Sequence, residues 1–98
     1  MNIKCVKLIS GEEVIADVND TIEGLVILKN PLLLMMVPSQ NNQFAMGLGP
    51  FCAFAKDGEV PIMAGAIISI FEPETGLRNE YNSKYGSGIV LPETKLVI

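Results

Sequence analysis

At 98 residues the chain is the size of one domain, and no abrupt change of composition divides it. Seven basic and eleven acidic residues give a net charge of −4, so no strong overall field favours a phosphate backbone and any nucleic-acid contact has to be local. Hydrophobic residues make up 49% and charged residues 18%, yet the longest purely apolar run, Leu32 to Val37, falls far short of the ~20 residues that a membrane-spanning helix needs.

A soluble chain is therefore expected, and its mean hydropathy of +0.39 leaves an apolar surplus to place. A domain this small buries only about 60 to 65% of the surface its unfolded chain exposes, so association with copies of itself is the economical solution. Residues 1–7 show no long apolar segment followed by a small-residue cleavage site, and the expected location is the cytoplasm. Cys5 and Cys52 are far apart in sequence and lack the close spacing of a zinc or redox motif. Their apolar contexts predict buried free thiols.

In chain order the pattern is strand after strand. Residues 3–9 alternate, and Ser10-Gly11-Glu12 is a tight turn signal. Residues 13–18 place Val14, Ala16 and Val18 on one face and Ile15 and Asp17 on the other, the period-2 rule of a half-buried strand. A turn is expected at Asn19-Asp20-Thr21. Residues 25–37 are rich in strand formers but interrupted at Asn30-Pro31. Proline cannot donate to a ladder, so one long strand with a bend or bulge is predicted there.

Residues 38–42 form a strong loop signal, and the strand before them should make a hairpin with residues 43–48. Residues 51–54 lie between Gly49-Pro50 and Lys56-Asp57-Gly58 and read equally as extended chain or as a loop on an apolar patch. Residues 60–63 and 66–71 are short apolar strands, joined at Ala64-Gly65 by a turn too short for a helix. After Glu72-Pro73 the period changes: Leu77, Tyr81 and Tyr85 recur every four residues, and Gly86 is a C-terminal stop, so one short amphipathic helix is predicted over 73–86. Residues 87–98 read as an apolar tail split by Pro92.

The order of elements, five or six short strands and then one helix, fits a small open barrel. Such a barrel bends its long middle strands at glycines, prolines or bulges, here at Asn30-Pro31 and at residues 47–50.

Histidine is absent, which removes Ser-His-Asp, Cys-His and His-metal sites. Glu12 and Glu13 are adjacent carboxylates in a turn, read more simply as solvated than as an acid/base pair. Asp17 with Asp20 lacks the further oxygen ligands a hard cation requires. Gly47-Leu48-Gly49-Pro50 is followed by no Lys-Ser or Lys-Thr, so a turn or bulge explains it better than a phosphate loop. The methionines of residues 32–37 suit a core or a subunit interface. No enzyme, cofactor or metal site is expected.

Residues 7–18, Lys-Leu-Ile-Ser-Gly-Glu-Glu-Val-Ile-Ala-Asp-Val, resemble the opening hairpin of Sm-like proteins, the family of the Lsm proteins and the bacterial RNA chaperone Hfq. Residues 60–70, Val-Pro-Ile-Met-Ala-Gly-Ala-Ile-Ile-Ser-Ile, are similar to that family's second motif of strand, glycine turn and strand. Leu28-Lys29-Asn30-Pro31 and the trailing helix resemble the small Sm-like proteins of tailed phages, including phages of marine cyanobacteria, for which the location would be the host cytoplasm.

The resemblance implies a strongly bent, five-stranded, SH3-like open barrel over 1–72 that forms a homo-oligomeric ring of five to seven copies. Neighbours would pair edge strands through Val60, Ile62 and Met63 on one side and Ile67, Ile68 and Ile70 on the other. It implies a single-stranded RNA site at the pore from Asn19, Asp20, Thr21 and Gly65. The family usually has a basic residue before the motif's glycine, where this chain has Ala64, and no aromatic stands in the 19–24 loop. RNA binding is thus expected to be weak and less salt-dependent than in a phosphate-dominated complex. The alternative is a structural or adaptor ring that binds phage or host proteins through its sheet edges, its methionine-rich surface or its apolar tail.

Overall fold

The computed structural model describes residues 1–85. Six antiparallel strands and one helix follow in order: β1 (Ile3–Leu8), β2 (Glu13–Ile22), β3 (Leu25–Pro38), β4 (Phe44–Pro50), β5 (Glu59–Met63), β6 (Ile67–Phe71) and α1 (Thr75–Tyr85). The expected tail 87–98 lies outside the described residues. The strands form one unclosed sheet in the order β4-β3-β2-β1-β6, with β5 also on β3. Six strands replace the expected five because β3 has two successive partners along one edge. Its first half pairs with β5, Leu25↔Met63 to Lys29↔Glu59, and its second half with β4, Leu32↔Pro50 to Pro38↔Phe44.

The switch of partner occurs at the predicted bend. Between Asp17↔Lys29 and Ile15↔Leu32 the β3 strand carries Asn30 and Pro31 against the single residue Ala16, which is a bulge. Asn30 takes φ 49, a left-handed conformation that asparagine tolerates, and Pro31 has no N–H to lose.

The β2 strand runs four residues further than expected. Asn19 is accommodated as a second bulge between Val18↔Leu28 and Asp20↔Ile27, and the reversal falls instead on Glu23-Gly24, where Gly24 supplies φ 77. Residues 51–54 are a turn rather than a strand. Phe51 is half-buried against the core, Phe54 is fully exposed, and Cys52, at φ 55, is exposed rather than buried. Cys5 is buried as expected, and both thiols are free.

Strand alternation divides the core between the two faces of the sheet. Val6, Leu8, Val14, Ala16, Val26, Leu28 and Val60 fill the face around which the bent strands curl. Ile3, Cys5, Ile15, Leu32 and Leu48 fill the opposite face, where Tyr81 of α1 joins them and Leu34, Leu77 and Tyr85 pack alongside. Each fully buried Val or Ile contributes about 1.5–3 kcal/mol of hydrophobic stabilisation.

The helix is positioned by one side chain. Tyr81 is its only buried residue, and the phenol oxygen accepts from the Asp17 N–H at 3.1 Å while lying 2.9 and 3.1 Å from the carbonyl oxygens of Lys29 and Asn30. The predicted four-residue spacing of Leu77, Tyr81 and Tyr85 puts all three on the docked face. Glu72 meets Lys4 and, at 2.5 Å, Arg78 near the start of α1. These ion pairs are exposed and add little.

Candidate functional site

Two features gather the residues singled out in the sequence: the sheet end formed by two adjoining turns, and a pair of edge strands. The Glu23-Gly24 turn and the short 3-10 turn at Ala64–Ala66 touch, because the Ala64 N–H donates to the Gly24 carbonyl oxygen at 2.8 Å. This bond extends the β3·β5 ladder past Leu25↔Met63 and holds both turns at one end of the sheet.

The candidate RNA residues sit around that end, with β3 between them. Thr21 lies opposite Val26, which lies opposite Ile62, and Asp20 lies in the row of Ile27 and Pro61. Asn19, Asp20 and Thr21 are on strand β2 and not in the expected loop; Asn19 and Thr21 are exposed. Gly65 is exposed in the 3-10 turn, and a Cβ built there would meet nothing within 4 Å. Ala64 is also exposed.

Charge at this end is of one sign. Residues 8–28 and 57–77, which supply both turns, contain no lysine or arginine and hold most of the chain's acidic residues, Asp20 and Glu23 among them. Among the described residues the segments that form these turns offer a phosphate no basic side chain, so electrostatics do not favour binding through the nucleic-acid backbone. The last row of the sheet is apolar instead: Ile22 and Met63 flank half-buried Leu25 and are 59% and 71% exposed.

Two of the sheet's edge strands are β5 and β6. Among the described residues β5 is paired only with β3 and β6 only with β1. Met63, Ile68 and Ile70 are exposed, and Ile62 and Ile67 are half-buried against the core. Val60 differs in that its side chain packs with Leu28 and Val26 in the chain's own core, so that at this position only the backbone of β5 is open to a neighbour. Alternation along β5 sends residue 60 inward.

Ile9, Ile22 and Phe71 are exposed apolar residues that sequence reading did not assign to any surface. A signal for Phe71 exists in β6 itself, where four of the five residues of Ile-Ile-Ser-Ile-Phe are large and apolar, more than one buried face requires. None is fully buried, and Ile68 is pushed out as a bulge opposite Lys7 and Leu8.

Among the described residues no three His, Cys, Asp or Glu side chains come close enough to hold a metal ion, and no helix is long and apolar enough to cross a membrane. Burial raises the Cys5 thiol above its ordinary range, with the Glu13 charge adding to the effect and Arg78 opposing it, which favours the protonated form. No family model matches the chain, and no curated protein sequence is significantly similar to it.

Proposed function

We propose that the chain is a non-catalytic, ring-forming protein of the Sm-like kind, in which β5 of one subunit pairs with β6 of the next. The observation that carries this reading is the state of those two strands. Each is hydrogen-bonded along one side only among the described residues, and together they present Met63, Ile68, Ile70 and Phe71 to solvent. A chain meant to stay monomeric guards such edges with charge, proline or a covering segment. Of these guards β5 carries Glu59 at its start and Pro61 at its centre, whereas β6 carries neither charge nor proline. The two strands leave one short turn in divergent pairings, so each copy offers one edge of each kind, which is the condition for a head-to-tail contact that closes into a ring.

Within the ring, the absence of lysine and arginine from residues 8–28 and 57–77 favours an adaptor that binds proteins. RNA binding at the pore remains a second reading because the Gly24 and Ala64 turns are joined, which supports a shared site for Asn19, Asp20, Thr21 and Gly65.

Multi-angle light scattering at micromolar concentration should report the mass of several chains, and Ile70→Lys, at an exposed position, should lower it without loss of the β-rich circular dichroism spectrum. A monomeric native protein refutes the ring. Filter binding to oligo-uridine and oligo-adenosine separates the two roles. A pore site predicts weak binding that Ala64→Arg strengthens, since a guanidinium both stacks on a base and neutralises a phosphate, and that Asn19→Ala weakens. No response to either substitution in an intact ring leaves the adaptor role.

A further inference from the structure

The β3·β4 hairpin carries an apolar strip that the helix leaves uncovered. Direct pairing puts Leu34 opposite Leu48, Met36 opposite Met46 and Pro38 opposite Phe44, all on the face where α1 docks. Leu34 and Leu48 belong to the helix-covered core. Beyond them Met36, Met46 and Phe44 continue the same strip into solvent, 61%, 51% and 65% exposed.

Two properties identify the occupant. Residues 30–55 contain none of the chain's seven basic and eleven acidic residues. Copies of an acidic protein repel one another wherever their charged surfaces meet, and this hairpin is where two copies approach without opposing like charges. The hairpin itself offers no charge to an RNA backbone or a charged peptide; the nearest carboxylates, Glu12 and Glu13, border Met36 and Met46 on the β2 side, away from the outer edge of β4. The second property is the outer edge of β4. Its register with β3 runs unbroken from Leu32↔Pro50 to Pro38↔Phe44, without the bulges that interrupt β2·β3 and β1·β6. Among the described residues no strand pairs with that edge, and its only proline is terminal. A regular, uncharged edge is a template for its own copy.

We propose that the β3·β4 hairpin is a second contact between copies of this chain, in which two β4 strands pair antiparallel across a two-fold axis. The axis at the strand centre, Gly47, sets Met46 against the second copy's Leu48 and Phe44 against its Pro50, so the apolar strips of both hairpins lie on one face of a continuous sheet. This contact uses neither β5 nor β6 and stands apart from the ring. Where both exist, two rings join through their hairpins and the assembly contains an even number of chains.

Native mass spectrometry and light scattering on the full chain test it, with Met46→Glu and Phe44→Asp as separate single substitutions at exposed positions and circular dichroism to verify the fold. The expected result is an even-numbered assembly whose mass each substitution halves, while Ile70→Lys breaks the ring and leaves two-chain species. If the native protein forms only dimers and Met46→Glu makes monomers, the hairpin contact holds and the ring fails. An unchanged mass in both folded hairpin variants overturns the proposal, as does a native monomer. So does co-sedimentation with phosphatidylcholine vesicles that either substitution abolishes at constant mass, which would make lipid the occupant.

Discussion

Replacing Tyr81 by phenylalanine removes one oxygen atom from the interior and leaves the ring in place. In the native chain that oxygen accepts from the Asp17 N–H and lies within hydrogen-bonding distance of the Lys29 and Asn30 carbonyls, at the point where β3 bends and α1 crosses it. Asp17 is 6% exposed and Tyr81 fully buried, so water cannot enter to replace the lost partner. Leaving the Asp17 N–H unsatisfied costs about 1–3 kcal/mol, and the lost O–H to carbonyl bond adds about 1 kcal/mol. The sum, about 2–4 kcal/mol, is a large part of the 5–15 kcal/mol that typically separates folded from unfolded domains. For a chain of this length it corresponds to a fall in Tm of roughly 10–25 °C. Urea denaturation followed by far-ultraviolet circular dichroism reads the loss as a lower midpoint at unchanged slope. A change under about 0.5 kcal/mol would show that the ring alone anchors the helix and that these hydrogen bonds do not position it.

Gly58 has φ +68, and a Cβ there would run into the Asn30 carboxamide, so Gly58→Ala should destabilise by about 1–3 kcal/mol, measured by the same urea titration. Gly65→Ala, in open space, should stay within about 0.5 kcal/mol of the native chain. Ellman's reagent should label one thiol, Cys52, within seconds, and Cys5 only after denaturant is added; fast reaction at both would contradict the burial of Cys5. Burial raises the Cys5 thiol from its ordinary value of 9.0 and the Tyr81 and Tyr85 phenols from 10.0. The folded state thus keeps protons that the unfolded chain releases. Their contribution is complete below about pH 9 and is lost as pH rises through the raised values, so urea midpoints should fall between pH 9 and 11 while remaining flat from 7 to 8.5.

The strands, the helix and the bend were legible in the sequence because each rests on short-range chemistry. Alternation assigned Val14, Ala16 and Val18 to one face and Ile15 and Asp17 to the other; Pro31 marked the interruption of β3; the spacing of Leu77, Tyr81 and Tyr85 marked the docked face of α1. The end of β2 was not legible, since Asn19-Asp20-Thr21 has the composition of a turn. Only pairing with β3 shows that a bulge absorbs Asn19 and that the reversal waits for Gly24. The exposure of Cys52 was hidden for a similar reason. Phe51 and Phe54 make its neighbourhood look like a core strand, whereas the chain has left β4 and must travel to the other half of β3 to begin β5.

What the sequence determined by itself is therefore the local alphabet of this protein: which residues extend, where the chain bends, the acidic charge and the absence of histidine. Tertiary structure alone decided that β3 exchanges partners at Asn30-Pro31, that the Gly24 and Ala64 turns meet, that Val60 faces inward, and that Met63, Ile68 and Ile70 remain outside. Each of these depends on contacts between segments tens of residues apart. A period-2 pattern states that a strand has two faces, but which face is covered is settled by the strand or helix that arrives against it.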